Sequence, residues 1–326
     1  MTSRERVLTA LRHQPTDHSP FFLGAPTREV LDRLSAHFNV SNNEALLTAI
    51  GDDFRWTKHF SWNGPEPNNV FAIPRADVLD CQTVADVDRL PWPDPALVDV
   101  SGIREHCLSV PGYSIMGGSW APFFHQMGDV FGQEEYFIRM HTEPDVIEAA
   151  TDHMVKFHLA ANEKVFRAAG DLMDFFFFGN DLGTQRGPFI SPECFRRFVL
   201  PGFKRLADQA RSFGLHPWLH CCGSVYEFIP DLIDIGIEAL HPMQISAANM
   251  SPEKLAKDFK GKIMFVGGID VHQLLRTGTT EEVREAVRRN RRALGPGYVV
   301  SPSHEAILPD VKDENLLAMV DEAKRG

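Results

Sequence analysis

The run Leu215-His-Pro-Trp-Leu219 is short and mostly apolar, and it ends in His220-Cys221-Cys222-Gly223, which sets an imidazole beside two thiols. Along a strand the side chains alternate faces, so His220 and Cys222 project to one side and Cys221 to the other. Nitrogen and sulfur donors at that spacing make half of a zinc site, and a zinc ion that does chemistry keeps one position open. The pair also has a plainer reading. A buried cysteine packs as a small apolar group, and a lone histidine is usually a satisfied polar one. What decides between them is the position of the pair in the chain.

The elements around the pair form a repeating series. A helix over 2–12, with Ser3 as its cap, leads to a compact apolar strand over 19–24, and helices are expected over 27–38 and 42–50. The proline-rich stretch 61–98 reads as an irregular covering segment that roofs a site. Strands then follow over 112–118, 173–178, 215–219, 237–240, 263–267 and 297–300. Helices lie between and after them over 134–142, 144–169, 191–212, 224–235, 251–259, 279–293 and 313–324. Ser191-Pro192-Glu193 and Ser251-Pro252-Glu253 each place a serine cap before a proline in the first turn. Strand alternating with helix means a parallel sheet with crossover helices. About eight such units favour a single α/β domain over 1–326, a closed (β/α)8 TIM barrel with N-terminal helical and loop additions. No Gly-x-Gly-x-x-Gly or Walker sequence follows a strand, which argues against a nucleotide-binding sheet.

In such barrels chemistry collects where the strands end. Those positions hold Gly179-Asn180-Asp181, His220-Cys221-Cys222, His241-Pro-Met-Gln244, Gly268-Ile-Asp270 and Ser301-Pro-Ser-His304-Glu305. Each also has a structural reading: Asp181 and Asp270 as caps, and His241 before proline as a loop anchor. Two glycines and two prolines between 295 and 302 shape the backbone that presents His304. Phe175–Phe178 reads as barrel core. Trp120, Phe123 and Phe124 follow Gly117-Gly118 on a loop at the mouth, where they either pack a lid or line an apolar pocket.

Composition bounds the function. The 326 residues are 43% hydrophobic and 24% charged, with a formal net charge of −11. An acidic surface disfavours nucleic acid and anionic membranes as partners. No apolar run approaches the roughly 20 residues of a membrane span, and the first residues carry no signal-like apolar stretch. Five cysteines, two of them adjacent, do not make a disulfide framework. These features point to a cytoplasmic protein acting on a small molecule.

Gly179-Asn-Asp-Leu-Gly-Thr-Gln-Arg-Gly-Pro-Phe-Ile-Ser-Pro-Glu193, His220-Cys-Cys-Gly223, Gly267-Gly-Ile-Asp270, Gly297-Tyr-Val-Val-Ser-Pro-Ser-His304 and Glu314-Asn-Leu-Leu-Ala-Met319 together resemble the uroporphyrinogen decarboxylase superfamily. Within it the chain is closer to the zinc-dependent, corrinoid-linked methyltransferases than to the decarboxylases. The latter carry an arginine-rich N-terminal motif, and the matching region here, Phe21–Arg28, has one arginine. The resemblance implies zinc held by His220, Cys222 and a later residue, here His304 in place of cysteine, with Cys221 and Glu305 as alternative ligands. It implies methyl transfer or demethylation between a small thiol or methoxylated substrate and a corrinoid (cobalamin) on a partner protein. We assign Asp181 and His241 to catalysis and Gln244, Asn180, Trp120 and Phe123 to substrate binding, in a chain that forms a homodimer. The rivals are a metal-free decarboxylase or lyase of a small carboxylate or tetrapyrrole, and a non-catalytic corrinoid- or tetrapyrrole-binding barrel.

Overall fold

The computed structural model describes residues 1–57, 60–66 and 68–325. Seven strands form one parallel sheet: β1 (Phe54–Trp56), β2 (Ser114–Gly117), β3 (Phe175–Gly179), β4 (His216–His220), β5 (Ala239–Met243), β6 (Met264–Ile269) and β7 (Tyr298–Pro302). Each strand pairs with the next in chain order, as crossover helices dictate. The sheet curls until its edges are linked through residues 20–23. There Phe22 N–H donates to the Val300 carbonyl (3.0 Å), Val300 N–H to the Pro20 carbonyl (2.9 Å) and Asp53 N–H to the Phe21 carbonyl (3.0 Å).

That linking segment is shorter than the strand expected over 19–24, with a single bridge from Phe21 to Val300. Pro20 has no N–H to give, and Gly24 turns the chain at φ +84° against the Glu305 carbonyl.

Alternation along the strands sorts the phenylalanine run. Phe175 and Phe177 face the sheet's interior with Phe22, Phe54, Trp218 and Val299, while Phe176 and Phe178 face the helices. Helix Ser3–Leu11 closes the lower end of that interior with Val7, Ala10 and Leu11. Its cap is Thr2, not Ser3: the Thr2 side chain accepts the Glu5 N–H, and Glu5 reaches back in a capping box.

Several expected elements shift for identifiable reasons. β1 escapes pattern reading because three residues, one of them Arg55, make no periodic run. Phe123 and Phe124 are not on a loop; they open helix Phe123–Phe131. Helix 191–212 is interrupted by a π-helical turn at Phe195–Val199, just ahead of Pro201, which cannot donate to the helical ladder. The stretch 61–98 contains helices Arg75–Leu79 and Val84–Asp88 and a short antiparallel pair, Ser61–Trp62 with Val98–Asp99. Its aromatic contacts lie on helix Pro144–Ala169, with Phe71 against Phe157 (5.3 Å between ring centres) and Trp92 stacked on His153 (4.7 Å). The segment packs along that helix and also receives Arg139 at the Leu79 and Cys81 carbonyls; Pro67 lies outside the described residues.

β5 matters most for the site. Pairing with β6 runs Leu240 to Phe265 and then Met243 to Gly267, so β5 carries one extra residue at His241-Pro242. Proline suits a bulge because it has no N–H to offer the ladder. Beyond the bulge the parity flips: Met243 joins the helix-facing core, and the next residue, Gln244, reaches the loop after β4.

Candidate metal centre

β4 ends with Trp218 inward, Leu219 outward and His220 at the mouth. The alternation continues past the strand. Cys221 turns outward into the core, where its sulfur accepts the Leu182 N–H at 3.3 Å, and Cys222 turns back to the mouth beside His220. The loop after β3 delivers the third group. His220 Nε2 lies 3.3 Å from Asp181 Oδ1 and 3.5 Å from Cys222 Sγ, and the Cys222 N–H donates to Asp181 Oδ1 at 2.9 Å. One ligand atom each from Asp181, His220 and Cys222 falls within 4.8 Å of the others, a grouping that could hold a metal ion.

Two glycines bring these loops together. Gly183 N–H donates to the Cys222 carbonyl (3.1 Å) and Ser224 N–H to the Thr184 carbonyl (2.8 Å). A side chain on Gly223, at φ +83°, would come 2.3 Å from Gly183 backbone carbon. At the end of β3 a side chain on Gly179 would strike the Trp120 ring at 2.1 Å, so this glycine makes room for the indole. Trp120 lies 5.2 Å from His220 and 5.5 Å from Trp56, ring centre to ring centre, and forms an aromatic wall with Phe177 beside the donors.

The electrostatics push Asp181 and Cys222 in opposite directions. Burial works to raise the Asp181 pKa, but the hydrogen bond and charge of His220 and the Cys222 N–H outweigh it, holding the carboxyl well below its usual range. Burial, reinforced by the Asp181 charge, pushes the Cys222 thiol well above its ordinary value. A bound cation reverses that balance, because a coordinating thiol is deprotonated outright.

The remaining expected residues divide. His304 is not in the group. Its Nε2 sits 3.1 Å from His272 Nε2 and its Nδ1 3.3 Å from Ser303 Oγ, and burial together with His272 lowers its pKa to about 4. The third atom of the grouping comes from Asp181, assigned above to catalysis. Glu305 lies on the far side of the imidazole, 3.8 Å from His220 Nδ1, with its pKa raised by burial. Cys221 faces away, as the strand phase requires. Asn180 is fully buried and ties the loops together: its side chain donates to the Ala121 carbonyl (3.0 Å) and accepts the Phe124 N–H (2.9 Å). Phe123 is buried against Phe203, 5.4 Å between ring centres, and does not line the mouth. Gln244 accepts the Gly223 N–H at 2.9 Å, and its own amide nitrogen is buried without a hydrogen-bond partner. His241 is fully buried, its Nδ1 3.0 Å from His220 Nδ1. Trp56, His272 and the glycine interlock carry no signal that sequence reasoning could use. Trp56 ends a strand too short to detect, and the glycines bear no chemistry of their own.

A family model for uroporphyrinogen decarboxylase (URO-D) matches residues 70–326. The chain belongs to that family. Its fold is similar to that of a methyltransferase from Methanosarcina mazei, with a TM-score of 0.67, 18% sequence identity, and 99% of this chain and 98% of that one covered. No curated protein matches the sequence. As a URO-D family member the chain places its donors where parallel barrels place their chemistry, on the loops that leave the strands. No helix among the described residues is long and apolar enough to cross a membrane.

Proposed function

We propose that this URO-D family member is a zinc-dependent methyltransferase, with Asp181, His220 and Cys222 holding the ion at the mouth of a closed (β/α)8 barrel. The observation that carries the reading is the convergence of an oxygen, a nitrogen and a sulfur donor from two adjacent strand ends. Zinc with N and O bonds of about 2.0–2.2 Å and an S bond of about 2.3 Å sets tetrahedral donors about 3.3 Å (N to O) and about 3.5 Å (N to S) apart. The observed separations are 3.3 and 3.5 Å. Three protein ligands leave one position open, the pattern of a catalytic site. Bound there, the ion would supply Lewis acidity and make a coordinated thiol nucleophilic at neutral pH.

The surrounding residues shape what is transferred and from where. In the transfer the donor–methyl bond breaks, the acceptor–methyl bond forms, and the acceptor gives up its proton. Trp56, Trp120 and Phe177 present an apolar wall beside the donors, suited to a methyl-bearing group that must be kept from water. The buried Gln244 amide, which acts on the Cys222 thiol, is placed to donate to a polar oxygen of the substrate. A corrinoid on a partner protein fits the role of methyl donor or recipient. The structural neighbour, a methyltransferase, agrees with this reading, but the donor set carries it.

Decarboxylation of a polycarboxylate fits the site poorly. Among the described residues the charged groups acting on Asp181 are His220 and His125, and those acting on Glu305 are His220 and Asp181, with no arginine or lysine in either set; Lys58 and His59 lie outside the described residues. Arg28, the one arginine in the region matching the family's arginine-rich motif, pairs with Asp32 on a solvent-facing helix turn, its side chain 87% exposed. A substrate with many carboxylates needs cationic partners.

The test is elemental analysis of the protein purified without chelator, together with transfer from methylated corrinoid to a thiol followed by the corrinoid spectrum. About one zinc per chain and thiol-dependent demethylation of the corrinoid support the reading. A chain that takes up no metal when zinc is supplied removes it.

A further inference from the structure

We propose that His241 is the positioning residue for His220: it accepts the His220 Nδ1 proton and thereby fixes the His220 lone pair at Nε2, toward Asp181 and Cys222. The inference rests on the zinc reading above and adds to it a residue that touches neither ion nor substrate.

The two Nδ1 atoms are 3.0 Å apart, and a bond between imidazole nitrogens needs one donor and one acceptor. His220 Nε2 faces the Asp181 carboxylate at 3.3 Å and the Cys222 sulfur at 3.5 Å. Without an ion, His220 Nε2–H serves the Asp181 carboxylate; with a cation bound at Nε2 that nitrogen would carry no proton, so the His220 proton would sit on Nδ1 and His241 Nδ1 would be the acceptor. The proton of His241 then lies on Nε2, which has no hydrogen-bond partner among the described residues.

That orphan nitrogen shows what the residue is for. The His241 ring is wholly buried among Phe22, Phe177 and Trp218, at 5.5, 5.7 and 6.1 Å between ring centres. A buried polar group left unsatisfied is destabilising, a cost that a phenylalanine in the same aromatic cage would not incur. Packing alone therefore does not favour imidazole at this position. The ring's one hydrogen bond among the described residues is the one to His220. The extra residue in β5 at His241-Pro242 is the local device that sets this strand's facing at the level of the donors.

Metal-binding histidines commonly give their second N–H to a carboxylate or a carbonyl. The carboxylate at hand is Glu305, but its nearest oxygen is 3.8 Å from His220 Nδ1, beyond hydrogen-bond range. A neutral imidazole acceptor orients His220 without adding negative charge to a site that already holds a carboxylate and a thiolate. With two such anionic ligands a divalent ion is just neutralised, and its capacity to activate a fourth ligand is retained.

The experiment measures zinc affinity by competition with a chromophoric chelator, and the visible absorption of the cobalt(II)-substituted protein, in wild type and three variants. His241→Phe keeps the aromatic packing and removes the acceptor; it should lose about 10- to 100-fold in affinity and shift the cobalt bands, with thermal stability equal or higher. His241→Asn, whose Oδ1 stands near the place of Nδ1, should recover most of the affinity, and it guards against a folding failure in the phenylalanine variant. Glu305→Gln should leave affinity unchanged. If wild type binds zinc and His241→Phe binds it equally well, or if Glu305→Gln causes the loss, the assignment of His241 is overturned while the zinc reading stands. Wild type that binds no zinc overturns both.

Discussion

The two ends of the sheet handle their polar groups in opposite ways. At the lower end, where the strands begin, each charge meets a partner. Arg6 bonds Asp53 Oδ1 (2.6 Å) and both oxygens of Asp17 (2.7 and 3.0 Å), and Asp53 Oδ2 accepts the Phe21 N–H (2.9 Å). Asp174 likewise takes Arg4 (2.9 Å) and Ser114 (3.0 Å). At the upper end Asp181, His220 and Cys222 converge, and the buried nitrogens of His241 and Gln244 have no hydrogen-bond partner among the described residues. Saturated pairing makes a stable plug, whereas convergence of unsaturated donors marks a place for something from outside.

If that division holds, substitutions at the two ends should separate cleanly. Arg6→Leu strands the buried Asp53 carboxylate and should cost about 3–5 kcal/mol in a denaturant titration, with zinc content intact in the folded fraction. Cys222→Ala and Asp181→Asn should do the reverse, lowering zinc affinity by more than about 100-fold while the denaturation midpoint hardly moves. Loss of zinc in Arg6→Leu at temperatures where it is folded would show that the ends are coupled.

Gly223→Ala should blur the contrast. Its positive φ and the 2.3 Å approach to Gly183 predict a loss of about 1–3 kcal/mol together with weaker metal binding, since the same backbone contact serves both. Cys221→Ala sharpens it again: about 1 kcal/mol of packing is lost and zinc is retained, measured by melting and elemental analysis. If Cys221→Ala and not Cys222→Ala strips the metal, the strand phase is off by one residue.

The smallest effect is in pH. The Arg6 hydrogen bond holds the Asp17 carboxyl below its usual range. A carboxyl depressed in the native state contributes stability above its unfolded value, near 3.9, and loses it as pH falls further. Melting temperature should therefore drop between pH 5 and pH 3, less steeply in Asp17→Asn. An unchanged slope in that variant would assign the acid sensitivity to other carboxylates.

How much of the structure is legible in the chain depends on whether the signal is local. The facing of His220, Cys221 and Cys222 follows from period-two alternation, and it persists past the strand. Ser191 and Ser251 cap their helices as their spacing indicates, each accepting the N–H three residues on. The third donor is not local. Asp181 and His304 both stand at strand ends, and only the glycine contact between the loops after β3 and β4 selects Asp181, while His304 turns to His272. Nor is the phase of Gln244 legible. The bulge in β5 shows in sequence only as Pro242, and a proline marks a turn or a strand edge equally well.

The backbone contact of Gly183 with Gly223 also makes the site a ruler. Asp181 and Cys222 sit on loops locked to each other by main-chain hydrogen bonds, so their donors cannot spread without breaking the lock. An ion with longer bonds, such as cadmium or calcium, would require that spreading. If the group holds an ion, discrimination by ionic radius would then be set by two residues with no side chain.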